Sequence, residues 1–234
     1  MKPLDSRAVS ASLEACVNGL LAESSFFSDL SAGRARPEHV RDVFGQFYLW
    51  RNRFHRWFGV CVVKSGPFGE SPNARFVLSE LIACLEQEIT GDHHGLARSF
   101  LTALGIDDPA RLRALPVTNA YAESFLCCYS PGDRSGDEAL AALAGRELVG
   151  PSRNKIIVHA LPAHYGVTSG LEFFNVHADL EAEHFRVLWE ALTHGTSADS
   201  RRLMEAARLE IWEHITFWDD VYSAILGAQS ELVS

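Results

Sequence analysis

Two histidines and a glutamate, His177, Glu181 and His184 in the stretch FFNVHADLEAEHFRVLWEAL, are the residues of this chain best placed to do chemistry. Their i, i+4, i+7 spacing puts the three side chains within roughly 60° of one another on a helix. Phe173, Val176, Leu180, Val187, Leu188 and Leu192 sweep one apolar arc, and Asn175, Asp179, Glu183, Arg186 and Glu190 fill the opposite side. The imidazoles and the carboxylate fall inside the apolar arc. An unpartnered carboxylate is costly to bury, so such a stripe needs hydrogen bonds, ion pairs or a metal ion. A satisfied polar network would meet that need, and so would a metal on which three donors converge.

A metal held from one helix needs ligands from others. In the third helical segment Leu78, Leu81, Ile82, Leu85, Ile89, Leu96 and Phe100 define an apolar arc, with Glu86 and His93 within it or at its edge. Glu80, Gln87 and His94 point away from that arc, and Glu88 lies near its other edge. In the fifth segment Leu140, Leu143, Ala144, Val158 and Leu161 set the core face; Glu147 is the acidic residue on it, with Arg146 and Arg153 on the far side. Glu86, His93, Glu147, His177, Glu181 and His184 make three imidazoles and three carboxylates. Nitrogen and oxygen ligation without thiolate suits iron or manganese, and carboxylates can bridge two ions. Two Fe(II) ions with three carboxylates leave a net charge of about +1, tolerable in a buried site.

The elements that must position these groups are helical. Residues 6–31 read as one amphipathic helix around Leu13, Val17 and Leu21. Pro37 opens a second, aromatic-rich segment ending by Gly66-Pro67, and Ser71-Pro72 starts the third, with Gly91 inside it. A connector with a short helical piece leads to Pro116 and a fourth helix, and a fifth starts near Asp137 with a break or kink expected at Gly150-Pro151. The helix of His177 follows the loop from Gly166 to Gly170, and a last one covers about residues 198–226. No β-alternation, phosphate-loop glycine pattern or internal repeat is present. The expectation is an all-α, single-domain bundle of about seven helices over residues 1–234.

Composition narrows the function classes. With 21 basic and 30 acidic residues the net charge is −9, which argues against a nucleic-acid groove or an anionic membrane surface. No apolar run reaches the roughly 18 residues of a membrane span, and MKPLDSRAVSASLEA lacks a secretory core, so the reading is a cytoplasmic protein. Cys16, Cys61, Cys84, Cys127 and Cys128 form no CxxC pair and read as reduced thiols.

The pattern Glu86-x6-His93, then Glu147, then His177-x3-Glu181-x2-His184, resembles the heme-oxygenase-like diiron oxidases and oxygenases. The segment SSFFSDLSAGRARPEHVRDVFGQFYLWRNRFHRWF resembles the opening helices of the wider superfamily that includes thiaminase II and pyrroloquinoline quinone synthase. Similarity extends over nearly the whole chain; the ligand pattern is fairly specific, whereas members without metal share the helical background. Many family members place Asp where this chain has Glu181. A ferritin-like bundle fits less well: it would need a Glu-x-x-His pair from two helices, and Glu210 to His214 is one residue too long. The resemblance implies a non-haem enzyme with two Fe(II) ions per chain, manganese being an alternative in one site. It implies dioxygen and a small organic substrate as partners, amine N-oxygenation or oxidative C–C cleavage as reactions, specialised metabolism as the setting, and a homodimer. It also implies a core helix that moves before the second metal binds, and Gly91 and Gly150-Pro151 would allow that. Lys155, His159 and Arg53 are candidates for holding a substrate carboxylate. The competing expectations are a metal-free enzyme of the same fold and a helical interaction protein.

Overall fold

The computed structural model describes residues 6–65, 72–193 and 199–230, and among them it shows ten α-helices, a 3-10 turn at Pro109–Arg111 and no strand. The expected helix count of about seven is too low because three segments read as continuous each divide. The first splits into α1 (Ser6–Glu23) and α2 (Ser25–Ser31) at Ser24, whose hydroxyl accepts from the Phe27 N–H and donates to Asp219 Oδ1 at 2.7 Å. The second divides into α3 (Pro37–Arg51) and α4 (His55–Lys64). The third divides into α5 (Pro72–Thr90) and α6 (His93–Ala103) at Asp92, which takes a left-handed conformation with φ 48° while its carboxylate accepts from the Gly95 N–H. The boundaries expected at Gly66-Pro67, Ser71 and residue 198 lie outside the described residues.

After α7 (Pro116–Tyr129), α8 (Gly136–Tyr165) opens on a reciprocal capping box between Ser135 and Glu138 and closes on Gly166 at φ 68°. It runs unbroken through Pro151 and Pro162, so of the break or kink expected at Gly150-Pro151 the break does not occur. Packing explains this: α8 lies between α9 (Glu172–Thr193) and α10 (Ser200–Ser230), and its residues from Glu138 to Gly150 are buried on every side. Tertiary contact there outweighs the local cost of proline.

One cluster of buried apolar side chains draws on all ten helices. At its centre Trp218 stacks on Phe47 with ring centroids 4.9 Å apart and on Phe26 at 5.7 Å. Trp50 and Trp57 extend the aromatic core, with Trp57 stacked on Phe125 at 4.6 Å. The five cysteines are all free, and no helix of the described residues is long and apolar enough to cross a membrane.

Trp218→Ala is expected to cost about 3–5 kcal/mol through the cavity it leaves. Denaturant unfolding should show a lower midpoint with an unchanged slope.

Candidate metal centre

Helix α9 turns His177, Glu181 and His184 into the interior, where each is at most 3% exposed. They form the middle of its buried face, flanked by Phe173, Phe174, Phe185 and Leu188, while Val176 from the expected apolar arc is exposed. Helices α5 and α6 meet this face at the Asp92 turn. The turn brings Glu88, near the end of α5, against His93, the first residue of α6. Glu88 Oε2 lies 3.1 Å from His93 Nδ1, and Glu88 Oε1 lies 3.7 Å from His177 Nε2.

The imidazoles of His93 and His177 stand 4.4 Å apart between ring centroids. His177 Nδ1–H donates to the Phe173 carbonyl at 2.6 Å, which orients the ring so that Nε2 faces the cluster. Arg51 closes the group, with Nη2 at 2.5 Å from Glu88 Oε2 and 3.2 Å from His177 Nε2. Burial would raise the Glu88 carboxyl, but hydrogen bonds from His177 and His93 and the charge of Arg51 outweigh it and hold the group far below the usual carboxylate range. One ligand atom from each of Glu88, His93 and His177 falls within 4.8 Å of the others. Two imidazole nitrogens and one carboxylate oxygen are a donor set that suits Fe(II) or Mn(II), so these residues fit a metal of that kind.

Glu86, the expected ligand, is exposed, and Glu88 takes the inward place. The buried line of α5 runs Val77, Leu81, Cys84, whereas Ile82 and Ile89 are 58% and 77% exposed. The expected arc carried one helical phase from Leu78 to Phe100; the turn at Asp92 resets that phase, so the predicted face is rotated away from the real one. Gln87, expected to point outward, is exposed, and its Oε1 accepts from His184 Nε2 at 2.8 Å.

A second buried group adjoins the first. Glu147 is 1% exposed and its Oε2 lies 3.3 Å from His184 Nδ1. Burial disfavours the charged ring of His184, yet hydrogen bonds with Cys84 and Glu147 raise it to about 10. Arg146 and Arg153 were expected on the far side of α8, but they are 4% and 1% exposed, because a helix buried all round has no solvent side. Arg146 spans two carboxylates, with Nη1 at 2.7 Å from Glu147 Oε1 and Nη2 at 3.8 Å from Glu181 Oε1. Arg153 Nη2 reaches Glu181 Oε2 at 3.3 Å. A guanidinium shared by Glu147 and Glu181 marks a place where the fold supplies a cation to both.

The arginines, Glu88, and the buried Tyr121, Glu210 and His214 are the functional neighbourhood that sequence reasoning did not assemble. The small-residue run ALAALAG before Arg146 was the available signal that α8 has no outer face. Of the substrate-anchor candidates, Lys155 and His159 are exposed, and Arg53 donates to Asn119 Oδ1 at 2.8 Å. Arg51 and Glu88 instead border a cavity of about 450 Å³, lined also by Asn52, Phe54, His55 and Phe58.

Comparison with known proteins agrees with this architecture. A family model described as "Iron-containing redox enzyme" matches residues 41–219. Among solved structures, a domain of unknown function with a heme oxygenase-like fold from Shewanella denitrificans superimposes with a TM-score of 0.77 at 16% identity, over 97% of this chain and 96% of that one. A TenA homolog from Pseudomonas syringae pv. tomato gives 0.72 at 14% identity, over 94% and 92%. A CADD-like protein of unknown function from Nostoc punctiforme gives 0.67 at 19% identity, over 94% and 96%. These likenesses show the fold, which is heme-oxygenase-like. No curated protein matches the chain.

Glu88→Ala should remove or weaken by at least about tenfold a divalent ion that the unsubstituted chain binds, while Glu86→Ala should bind as the unsubstituted chain does. Titration of the metal-free protein with Co(II), followed by its visible absorption, checks both.

Proposed function

This chain belongs to the family of iron-containing redox enzymes, and from that membership we propose that it is a non-haem diiron oxidase or oxygenase acting with dioxygen on a small amine- or amino-acid-like substrate. The observation that carries the proposal is the convergence of Glu88, His93 and His177 from three helices onto one buried point. On this reading those three hold one ion, and Glu147, Glu181 and His184 hold the other. Bound iron supplies the reducing and oxygen-activating chemistry that no side chain of the site provides.

The protein groups have separate tasks. His177 is fixed in tautomer and orientation by its bond to the Phe173 carbonyl. Arg146 and Arg153 hold Glu147 and Glu181 in place through buried ion pairs. Phe54 and Phe58 line the adjoining cavity and limit water beside the reacting centre, and Arg51 stands at its inner wall. The three guanidiniums change the charge balance expected from sequence: they offset the three carboxylates before any ion binds. A loaded site is therefore strongly positive, which favours a substrate that brings a carboxylate and directs it toward Arg51. N-oxygenation and oxidative C–C cleavage both fit such a substrate. Specialised metabolism, a homodimeric assembly and a cytoplasmic location complete the reading.

Anaerobic titration with Fe(II) is expected to load up to two ions per chain, and an oxygen pulse should then give a transient visible absorption. His177→Ala and His184→Ala should each abolish the transient. A chain that retains no iron and consumes no oxygen under these conditions would falsify the proposal.

A further inference from the structure

Glycine is disfavoured against alanine in a helix interior, and Gly150 lies in the interior of the buried helix α8. Its backbone does not require glycine, since positive φ occurs at Gly33, Gly105, Gly166 and Gly170 and not at Gly150. What requires glycine is the Glu181 side chain crossing from α9. A Cβ added at Gly150 would lie 1.2 Å from Glu181 Oε2, 2.4 Å from its Cδ and 3.0 Å from its Cβ.

Glu181 is held where it lies. It is 3% exposed, and its carboxylate ends between Arg153 Nη2, at 3.3 and 3.5 Å, and Arg146 Nη2, at 3.8 Å. The acidic arm therefore runs over a notch cut in α8, and the notch sets where its oxygens finish. A shorter acid at 181 ends one carbon earlier, which removes the 1.2 Å contact of Oε2 and leaves the 3.0 Å contact of the 181 Cβ.

We propose that Gly150 is a positioning residue for the Glu181 carboxylate, its missing Cβ forming the slot through which the glutamate arm reaches Arg146 and Arg153. On the diiron reading, on which this second part rests, the same slot delivers the carboxylate to the second ion. Gly145, on the same helix, is small for another reason: a Cβ there would meet the backbone of Ala207 on α10. Gly19 in α1 has nothing within 4 Å of an added Cβ and serves as the control for helix propensity alone.

The test is a thermal double-variant cycle on the metal-free protein with Gly150→Ala, Glu181→Asp and the pair, beside Gly19→Ala. Gly19→Ala should leave the melting temperature level or raise it. Gly150→Ala should lower it by about 5 °C or more, and the pair should melt above Gly150→Ala alone. Co(II) titration of the same proteins should show the second ion weakened by at least about tenfold in Gly150→Ala and regained in part in the pair. The proposal is overturned if Gly150→Ala behaves like Gly19→Ala, or if the pair shows the plain sum of its two single losses. If thermal rescue is seen while no variant nor the unsubstituted chain binds Co(II) or Fe(II), the slot stands and the diiron reading falls.

Discussion

Charge compensation in a dry interior governs the rest of this molecule. Glu147 and Glu181 lie wholly inside the bundle and Glu88 at its margin, and an isolated ion in such surroundings is worth several kcal/mol of instability. Each is met by a guanidinium: Glu88 by Arg51, Glu147 by Arg146, and Glu181 by Arg153 with Arg146 shared. Arg51 comes from α3, Arg146 and Arg153 from α8, and the acids from α5, α8 and α9. The relative placement of four helices is thus fixed by the requirement that no charge is left alone. The aromatic walls serve the same end, with the Arg146 guanidinium 3.7 Å from the Phe54 ring centroid and 5.0 Å from Trp50.

The compensation extends outward through a directional chain. Arg153 Nη1 donates to His214 Nε2 at 2.6 Å, so the neutral ring carries its proton on Nδ1 and donates to the Tyr121 oxygen at 2.7 Å. Tyr121 in turn donates to Glu210 Oε1 at 3.2 Å. Burial, reinforced by the charges of Arg153 and Arg146, keeps His214 uncharged, and burial with the nearby Glu213 pushes the Glu210 carboxyl well up. The outer end of the chain is therefore neutral, and its work is to orient Arg153 onto Glu181.

The parts of this arrangement legible in sequence are those that local periodicity controls. The face of α9 was readable because His177, Glu181 and His184 share one uninterrupted helix, and Glu147 was readable as an acid among small residues. Glu88 was not, because the left-handed turn at Asp92 shifts the phase between α5 and α6 and no hydrophobic pattern reports a turn of that kind. Arg146 and Arg153 were placed on the far side of α8 by helical position relative to Glu147. Only the sandwiching of α8 between α9 and α10, a tertiary fact, puts them inside. The same sandwiching carried α8 through a proline that local rules would make a break.

That proline leaves a mark of its own. Pro151 has no N–H to give, and its partner in an ideal helix would be the carbonyl oxygen of Glu147. The backbone oxygen belonging to a site carboxylate is consequently released from the ladder that binds its neighbours. Here the rod can widen or bend without breaking a bond, so the local stiffness of α8 is reduced beside the very side chains it must present.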